Sequence, residues 1–263
     1  GFLSKNRPKV SQMNLKKDEE LVCGLNAVSQ IIRIRPNSVQ YLFVGQKPSG
    51  RIQSVMQEAE KSNITINKEN LSFFDDNFKE QNHQNIAITC NKRSEESEHY
   101  LEYILDKPKL KLLLLDGLSD PHNVGACLRS AAASDVDAVI VPKNRSCHLT
   151  PTVRKISCGA SELIPFVIVT NIVRTINLLK EKGVMIYGSD LQATKTYDEV
   201  EYAQKNALII GSEDKGIRRL TRENCDELVK ISMSKNMDSL NASVSAGILL
   251  FEISRQNKIN TNK

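Results

Sequence analysis

The sequence predicts an α/β chain in two parts, a small α/β unit followed by a larger one built on a parallel sheet. Three observations carry this. In the second half, short near-continuous apolar runs alternate with helix-patterned stretches, as in a parallel sheet covered on both faces. In the first ninety or so residues, strand and helix patterns also mix, but over a shorter span. Between them lies NKRSEESE (residues 91–98), charged, Ser-containing and without an apolar residue. With 263 residues, 40% of them apolar, two domains are favoured over one.

In chain order, residues 1–20 read as a disordered tail, basic at Lys5, Arg7, Lys9, Lys16 and Lys17 and acidic at Asp18, Glu19 and Glu20. They hold no apolar signal-peptide core. Residues 21–90 form the first unit. Leu25, Val28, Ile31 and Ile32 make a helical stripe over 24–34, and 39–44 reads as a strand. Ile52, Val55, Met56 and Ala59 mark a second helix to Lys61, with strands at Ile64/Ile66 and 86–90. Residues 91–106 are the expected linker, ending in a short helix that Pro108 stops. Residues 107–263 form the second unit. Its strands are expected at 112–115, 138–141, 165–169, 184–188, 207–210 and 228–231, and its helices at 124–134, 153–159, 172–182, 215–223 and 242–255.

Composition narrows the function classes. Lys and Arg number 36 against 31 Asp and Glu, a net charge of +5 that permits a nucleic-acid partner without demanding one. No apolar run approaches the ~20 residues of a membrane helix. The six cysteines show neither a CxxC pair nor zinc-ligand spacing, so no metal site is expected and they read as reduced thiols, some in the core. Neither GxSxG, HExxH nor GxGxxG occurs, and the four histidines are scattered.

Ligands of parallel sheets bind beyond the carboxyl ends of the strands, which singles out three junctions. After 112–115 the chain runs DGLSDPHNVGACLRS. Asn123 is a natural helix N-cap there, and Gly125, Arg129, Ala132 and Ala133 make a face of small residues around one cation. After 207–210 comes GSEDKGI, with the Gly-x4-Gly spacing of a phosphate loop but Ile217 and Arg218 where Lys and Ser/Thr are needed. Glu213 and Asp214 would repel phosphate, so a cationic or neutral ligand such as a sulfonium suits this loop better. After 228–231, Ser239 and Asn241 are capping residues for a helix whose apolar face reads Leu240, Val244, Ile248 and Phe251.

Together and in this order, DPHNVGACLRSA, IIGSEDKGIRRLTRENCDEL and SLNASVSAGILLFE resemble the three signature motifs of the SpoU-type RNA 2′-O-ribose methyltransferases of the SPOUT class. AVIVPKNRS and KISCGASELIPFVIVTN extend the match, which covers about residues 21–256 and is most similar to members that modify a guanosine in 23S rRNA. LVCGLNAV and HQNIAITC resemble the family's L30e-like RNA-binding domain. The resemblance implies a parallel sheet with a deep trefoil knot, S-adenosylmethionine as cofactor, a homodimer, and 23S rRNA or a pre-ribosomal particle as partner, in the cytoplasm, with neither DNA nor membrane involved. A tRNA ribose methyltransferase of the same class and a non-catalytic RNA-binding or ribosome-assembly protein are the alternatives.

Carried over by motif, Gly211, Ile231 and Leu240 fall at cofactor-contact positions, and Asn123, Arg129, Glu213, Ser239 and Asn241 at catalytic ones. A ribose hydroxyl is a poor nucleophile at neutral pH and must lose its proton as it attacks. The Arg129 guanidinium stays charged, so its expected role is to grip a phosphate and stabilise developing alkoxide charge. Asn123, Ser239 and Asn241 would orient the ribose and Arg129, and Glu213 would fix both the loop and the guanidinium. The chain departs from the family pattern at Asn85, where Gly is usual, at Ser232, where Pro is usual, and at Asp214 and Lys215.

Overall fold

Strand β1 (Glu19–Cys23) opens the first unit of the computed structural model, which describes residues 13–261. The chain divides into two units between Arg93 and Ser94. In the first, β1 is followed by α1 (Leu25–Ile34), β2 (Val39–Gly45), α2 (Gly50–Lys61), β3 (Thr65–Glu69), α3 (Leu71–Asn77) and β4 (Ile86–Asn91). The four strands lie in the order β1-β4-β2-β3, antiparallel except for the parallel pair β2 and β3. Successive strand residues face opposite sides. Phe43 accordingly joins a cluster with Phe73 and Phe74 of α3, while Val28, Ile31 and Ile32 of α1 are buried with Ile52, Val55 and Ala59 of α2.

Two boundaries differ from expectation. Glu19 and Glu20, read as the end of a tail, pair with Asn91 and Cys90 and begin β1; the rest of that tail up to residue 12 lies outside the described residues. Helix α3, which periodicity over seven residues is too short to reveal, is capped by Asn70, whose side chain accepts from Phe73 N at 3.1 Å.

The second unit runs α4 (Tyr100–Ile104), β5 (Leu110–Asp116), α5 (Pro121–Ala133), β6 (Ala138–Pro142), α6 (Pro151–Ile156), α7 (Ala160–Leu163), β7 (Phe166–Val169), α8 (Ile172–Glu181), β8 (Met185–Ser189), β9 (Lys195–Thr196), β10 (Lys205–Gly211), α9 (Arg219–Glu223), β11 (Glu227–Lys230) and α10 (Ala242–Thr261). The seven strands are all parallel, in the order β7-β6-β5-β10-β8-β11-β9. Every residue of β5 is buried, as the unbroken apolar run predicts. Leu113 and Leu115 pack with Val124 and Leu128 of α5 and Leu249 and Ile253 of α10; Leu112 and Leu114 pack on the other face with Leu101 of α4 and Ile176 of α8.

The expected linker 91–106 is mostly part of this unit. Asn91 ends β4, Glu96 bridges to Val167 of β7, and Leu101, Ile104 and Leu105 are buried. The stripe Leu240, Val244, Ile248 and Phe251, read as the apolar face of the last helix, is not the side that packs inward. Val244 and Phe251 are exposed, and Ala242, Ala246, Leu249, Leu250 and Ile253 face the core. Over its first three turns this helix carries apolar residues on every side, so periodicity could not choose its inner side. Helix α9 is shorter than expected because residues 212–216 fold back as a tight loop, Gly216 N donating to Ser212 O at 2.8 Å. Among the described residues no helix is long and apolar enough to cross a membrane.

Candidate active site

The sheet order changes direction at β5. From there the chain steps outward to β6 and β7 on one side, while β10 and β8 lie on the other. Loops leaving the carboxyl ends of strands diverge at such a point and leave room for ligands. The loop after β5 leads into α5, whose N-cap is Asp120, accepting from His122 N at 2.9 Å, with Pro121 in the first turn. Asn123 therefore does not cap the helix as its sequence position suggested. It sits inside the first turn with its amide free to reach elsewhere.

That amide joins residues from two distant loops. Asn123 Nδ2 donates to Glu213 Oε1 at 3.3 Å, and Asn123 Oδ1 accepts from Asn241 Nδ2 at 2.9 Å. Glu213 Oε1 also accepts from Ala242 N at 3.1 Å, at the start of α10, and Asn241 Oδ1 caps that helix by accepting from Ser243 N at 2.9 Å. One carboxylate thus ties the N-terminal turns of α5 and α10 to the loop after β10, and its charge suits the positive end of each helix.

The same loop encloses a cavity of about 260 Å³ with the segments after β8 and β11. Gly211, Glu213, Ser239 and Leu240 line it, so four of the eight expected site residues meet here. Gly211 could carry no side chain: a Cβ there would lie 2.1 Å from the backbone carbon of Gly216. Asp190, Glu213 and Asp214 outnumber Lys215 and Arg222 around the cavity, which favours a ligand bearing positive charge.

Ile231 does not line the cavity. It lies one residue past β11 with its half-buried side chain against the core. Arg129 also stands apart from the bonded set. It is exposed on α5, and its Nη1 donates to Cys158 Sγ at 3.7 Å. Glu213, expected to hold the guanidinium as well as the loop, holds the loop only. The small-residue face around Arg129 serves packing as well: Gly125 is buried against α6, where a Cβ would meet the Ile156 side chain at 2.8 Å.

Sequence patterns missed the supports of this site. Asp116, at the buried end of β5, accepts from Arg218 Nε at 2.8 Å and Arg218 N at 3.2 Å, pinning the far end of the 212–218 loop. Arg222 Nε lies 2.6 Å from Asp190 Oδ2 at the cavity wall. A carboxylate directly after an apolar strand was the available signal; its partner, 102 residues away for Asp116, was not. Cys127, on the inner side of α5, is an inert core thiol pushed up to about 12 by burial.

A model of the SpoU rRNA methylase family matches residues 111–251, and a model of RNA 2′-O ribose methyltransferase substrate binding matches residues 21–96. The chain is 40% identical over 242 residues to the 23S rRNA (guanosine-2′-O-)-methyltransferase RlmB of Photobacterium profundum, covering 91% of this chain and 99% of that protein. It is 39% identical over 241 residues to the protein of the same name from Escherichia coli, covering 90% and 98%. Among solved structures, the SpoU methyltransferase AviRb of Streptomyces viridochromogenes, in complex with the cofactor AdoMet, shares the fold with a TM-score of 0.66 at 21% identity, over 97% of this chain and 95% of that one. Two signature loops folded around one cavity with the third bonded to them through Asn123, a family model spanning more than half of the residues, and relatives matched nearly end to end establish that the chain belongs to the SpoU rRNA methylase family.

Proposed function

We propose that this protein transfers a methyl group from S-adenosylmethionine to the ribose 2′-hydroxyl of a guanosine in 23S rRNA. The bonded set of Asn123, Glu213 and Asn241, attached to a cavity whose charge favours a cation, is the observation that carries the chemistry. The choice of substrate rests on the relatives that are 39–40% identical over about nine-tenths of the chain.

The cavity's chemistry fits the cofactor. Gly211 keeps the backbone open, Leu240 would offer an apolar contact, and Asp190, Glu213 and Asp214 in the lining would favour the charge of a sulfonium. Ile231 would contribute through its backbone. When bound, S-adenosylmethionine supplies a methyl group open to in-line attack. Asn123 and Asn241 hold each other and the loop in place, which fixes polar groups beside the ribose before reaction. Ser239, exposed at the cavity, is placed to bond a ribose or cofactor oxygen. Arg129 remains charged, grips the phosphate next to the target and stabilises negative charge as it develops on O2′. The proton leaves through that phosphate or water, since a guanidinium does not accept it.

Two further parts belong to the same proposal. The first unit presents RNA, in keeping with its match to a substrate-binding domain. A second copy of the chain covers the outer face of α10, where Val244 and Phe251 lie exposed at helical spacing. The loops 212–218 and 231–241 that meet at the cavity are the parts that the family's knotted C-terminal segment would join, and the bacterial cytoplasm is the expected place of work.

The test is incubation with labelled S-adenosylmethionine and unmodified 23S rRNA, followed by mapping of the label. A single 2′-O-methylguanosine is expected, and RNA with 2′-deoxyguanosine at that position should be inert. Label on a base, or on tRNA alone, would replace this proposal.

A further inference from the structure

A second and larger concavity lies beyond the carboxyl ends of β6 and β7, apart from the cofactor cavity. It is an open groove of about 1240 Å³ between α8, α9 and the loop after β6, and it lies wholly within the second unit. Its volume exceeds the roughly 300–1,000 Å³ of small-molecule sites, so the groove suits a segment of polymer better than a metabolite. Its floor is aliphatic: Leu101, Pro142, Ile172, Leu178 and Leu220. Leu178 and Leu220 are 39% and 56% exposed, unusual for leucines on adjacent short elements unless something covers them.

Four arginines stand around this floor, Arg145, Arg174, Arg218 and Arg219, facing two acidic residues, Glu98 and Glu181. Arg174 pairs with Glu98 at 3.2 Å, and Arg218 with the buried Asp116. Among the described residues the one carboxylate near Arg219 is Glu223 at 3.6 Å, the arginine side chain being 81% exposed. Arg145 has no carboxylate partner among the described residues, and it occupies the left-handed region at φ 57 on the loop after β6. A long side chain held in that conformation and left unpaired is the kind of backbone outlier that accompanies ligand contact. Three amides, Asn144, Asn171 and Asn177, add neutral polar groups to the lining.

We infer that this groove holds a single-stranded segment of the substrate RNA flanking the target nucleotide, with base faces on the aliphatic floor and phosphates on Arg145 and Arg219. The inference rests on the proposed RNA methylation. Single-stranded RNA is the polymer that presents flat apolar faces and regularly spaced anions together, and guanidinium planes both stack on bases and bind phosphates. The topology links groove and reaction site. The loop that leaves β10 lines the cofactor cavity with residues 211–216 and the groove with residues 218–221. One loop at the point where the sheet changes direction thus has the methyl donor's cavity on one side and the groove on the other. RNA held in the groove would press on the loop that carries Glu213.

The test uses the full chain carrying Arg145→Glu and Arg219→Glu together, residues outside the catalytic set. Filter binding to 23S rRNA fragments should show affinity lower by about tenfold or more at moderate salt. The salt dependence should flatten, its log–log slope falling by about 1.4 for two lost single-strand phosphate contacts. KM for RNA should rise in parallel, with kcat at saturating RNA and S-adenosylmethionine affinity by calorimetry unchanged. If the glutamates disturb folding, as a thermal melt would reveal, Arg145→Gln with Arg219→Gln should show the same slope change and a smaller loss of affinity. Unchanged RNA affinity and salt slope, with wild-type methylation intact, would overturn the groove assignment and leave an acidic peptide as the alternative occupant. A wild-type protein that methylates no RNA would instead sink the underlying function, and the groove with it.

Discussion

Of the eight arginines in the second unit, six have a carboxylate within 4 Å: Arg154, Arg174, Arg218, Arg219, Arg222 and Arg255. Arg129 and Arg145 have none among the described residues, and a charged fork without a counter-ion is ready for an anion from outside. Among the described residues Arg129 bonds the sulfur of Cys158, a weak acceptor that holds the guanidinium without neutralising it. Arg129→Ala should lower single-turnover methylation by about 10²–10³-fold, the usual cost of removing a donor to developing negative charge. S-adenosylmethionine affinity, measured by calorimetry, should stay within about twofold, because Arg129 does not line the cavity. Substantial turnover in that variant would remove Arg129 from the chemistry. Other residues show how far single positions could be read. Asn85 stands where the family usually has Gly, and its φ of 56 gives the reason: among side chains that tolerate the left-handed region, Asn is a frequent choice. Asn123 was legible as a polar residue at a strand-to-helix junction. Its partners were not, because Glu213 lies 90 residues away and Asn241 118.

Elements were legible where their pattern is long or their burial complete. Six of the seven strands of the parallel sheet lie within a residue or two of their expected apolar runs, since burial leaves few polar positions to confuse them; the edge strand β9, two polar residues without an apolar run, was not expected. The segment 94–98 shows the opposite case. Its glutamates read as a solvated linker, yet they bond backbone and side chains at strand ends. Glu95 accepts from Leu149 N at 2.9 Å and contacts His148, and Glu98 accepts from Thr170 N and from Arg174. Charge in a sequence does not show which N–H groups await it. The Thr170 N–H, foremost, and the Arg174 guanidinium hold the Glu98 carboxyl below its ordinary value, against the opposing effect of burial. A carboxylate lowered in this way stabilises the folded chain above the unfolded glutamate pKa, and the contribution disappears as pH falls through the folded value. Glu98→Gln should therefore lower the melting temperature at pH 7 and converge with the wild type in acid. The loss should stay below about 1 kcal/mol, since the side chain is 37% exposed and screened. An equal difference at pH 7 and at pH 3 would show that shape, and not charge, is what the glutamine changes.

At the scale of the whole molecule, the two-unit plan was legible from patterning, and the place of the division was not. The sequence put the start of the second unit at residue 107, after the last charged and helical residues of the supposed linker. The chain divides instead after Arg93, because α4 carries Leu101, Ile104 and Leu105 into the core beneath β5, where they join Leu112, Leu114, Ile140 and Ile176. Five helical residues between charged neighbours give too little periodicity to tell a docked turn from an exposed one. The difference has a measurable consequence. A fragment of residues 94–263 retains these side chains and every residue lining the cofactor cavity, whereas residues 107–263 retain the cavity residues but uncover the core under α4. Burying a large aliphatic side chain contributes about 1.5–3 kcal/mol, so the shorter fragment forfeits on the order of 5–9 kcal/mol. That loss is comparable with the entire stability of an ordinary domain, about 5–15 kcal/mol. The longer fragment should therefore melt cooperatively and bind S-adenosylmethionine with an affinity close to that of the full chain, while methylating rRNA poorly for want of the unit that presents it. The shorter one should aggregate or fail to show a cooperative transition by calorimetry. Equal melting of the two fragments would mean that α4 merely rests on the sheet, and the division would then belong at residue 107 after all.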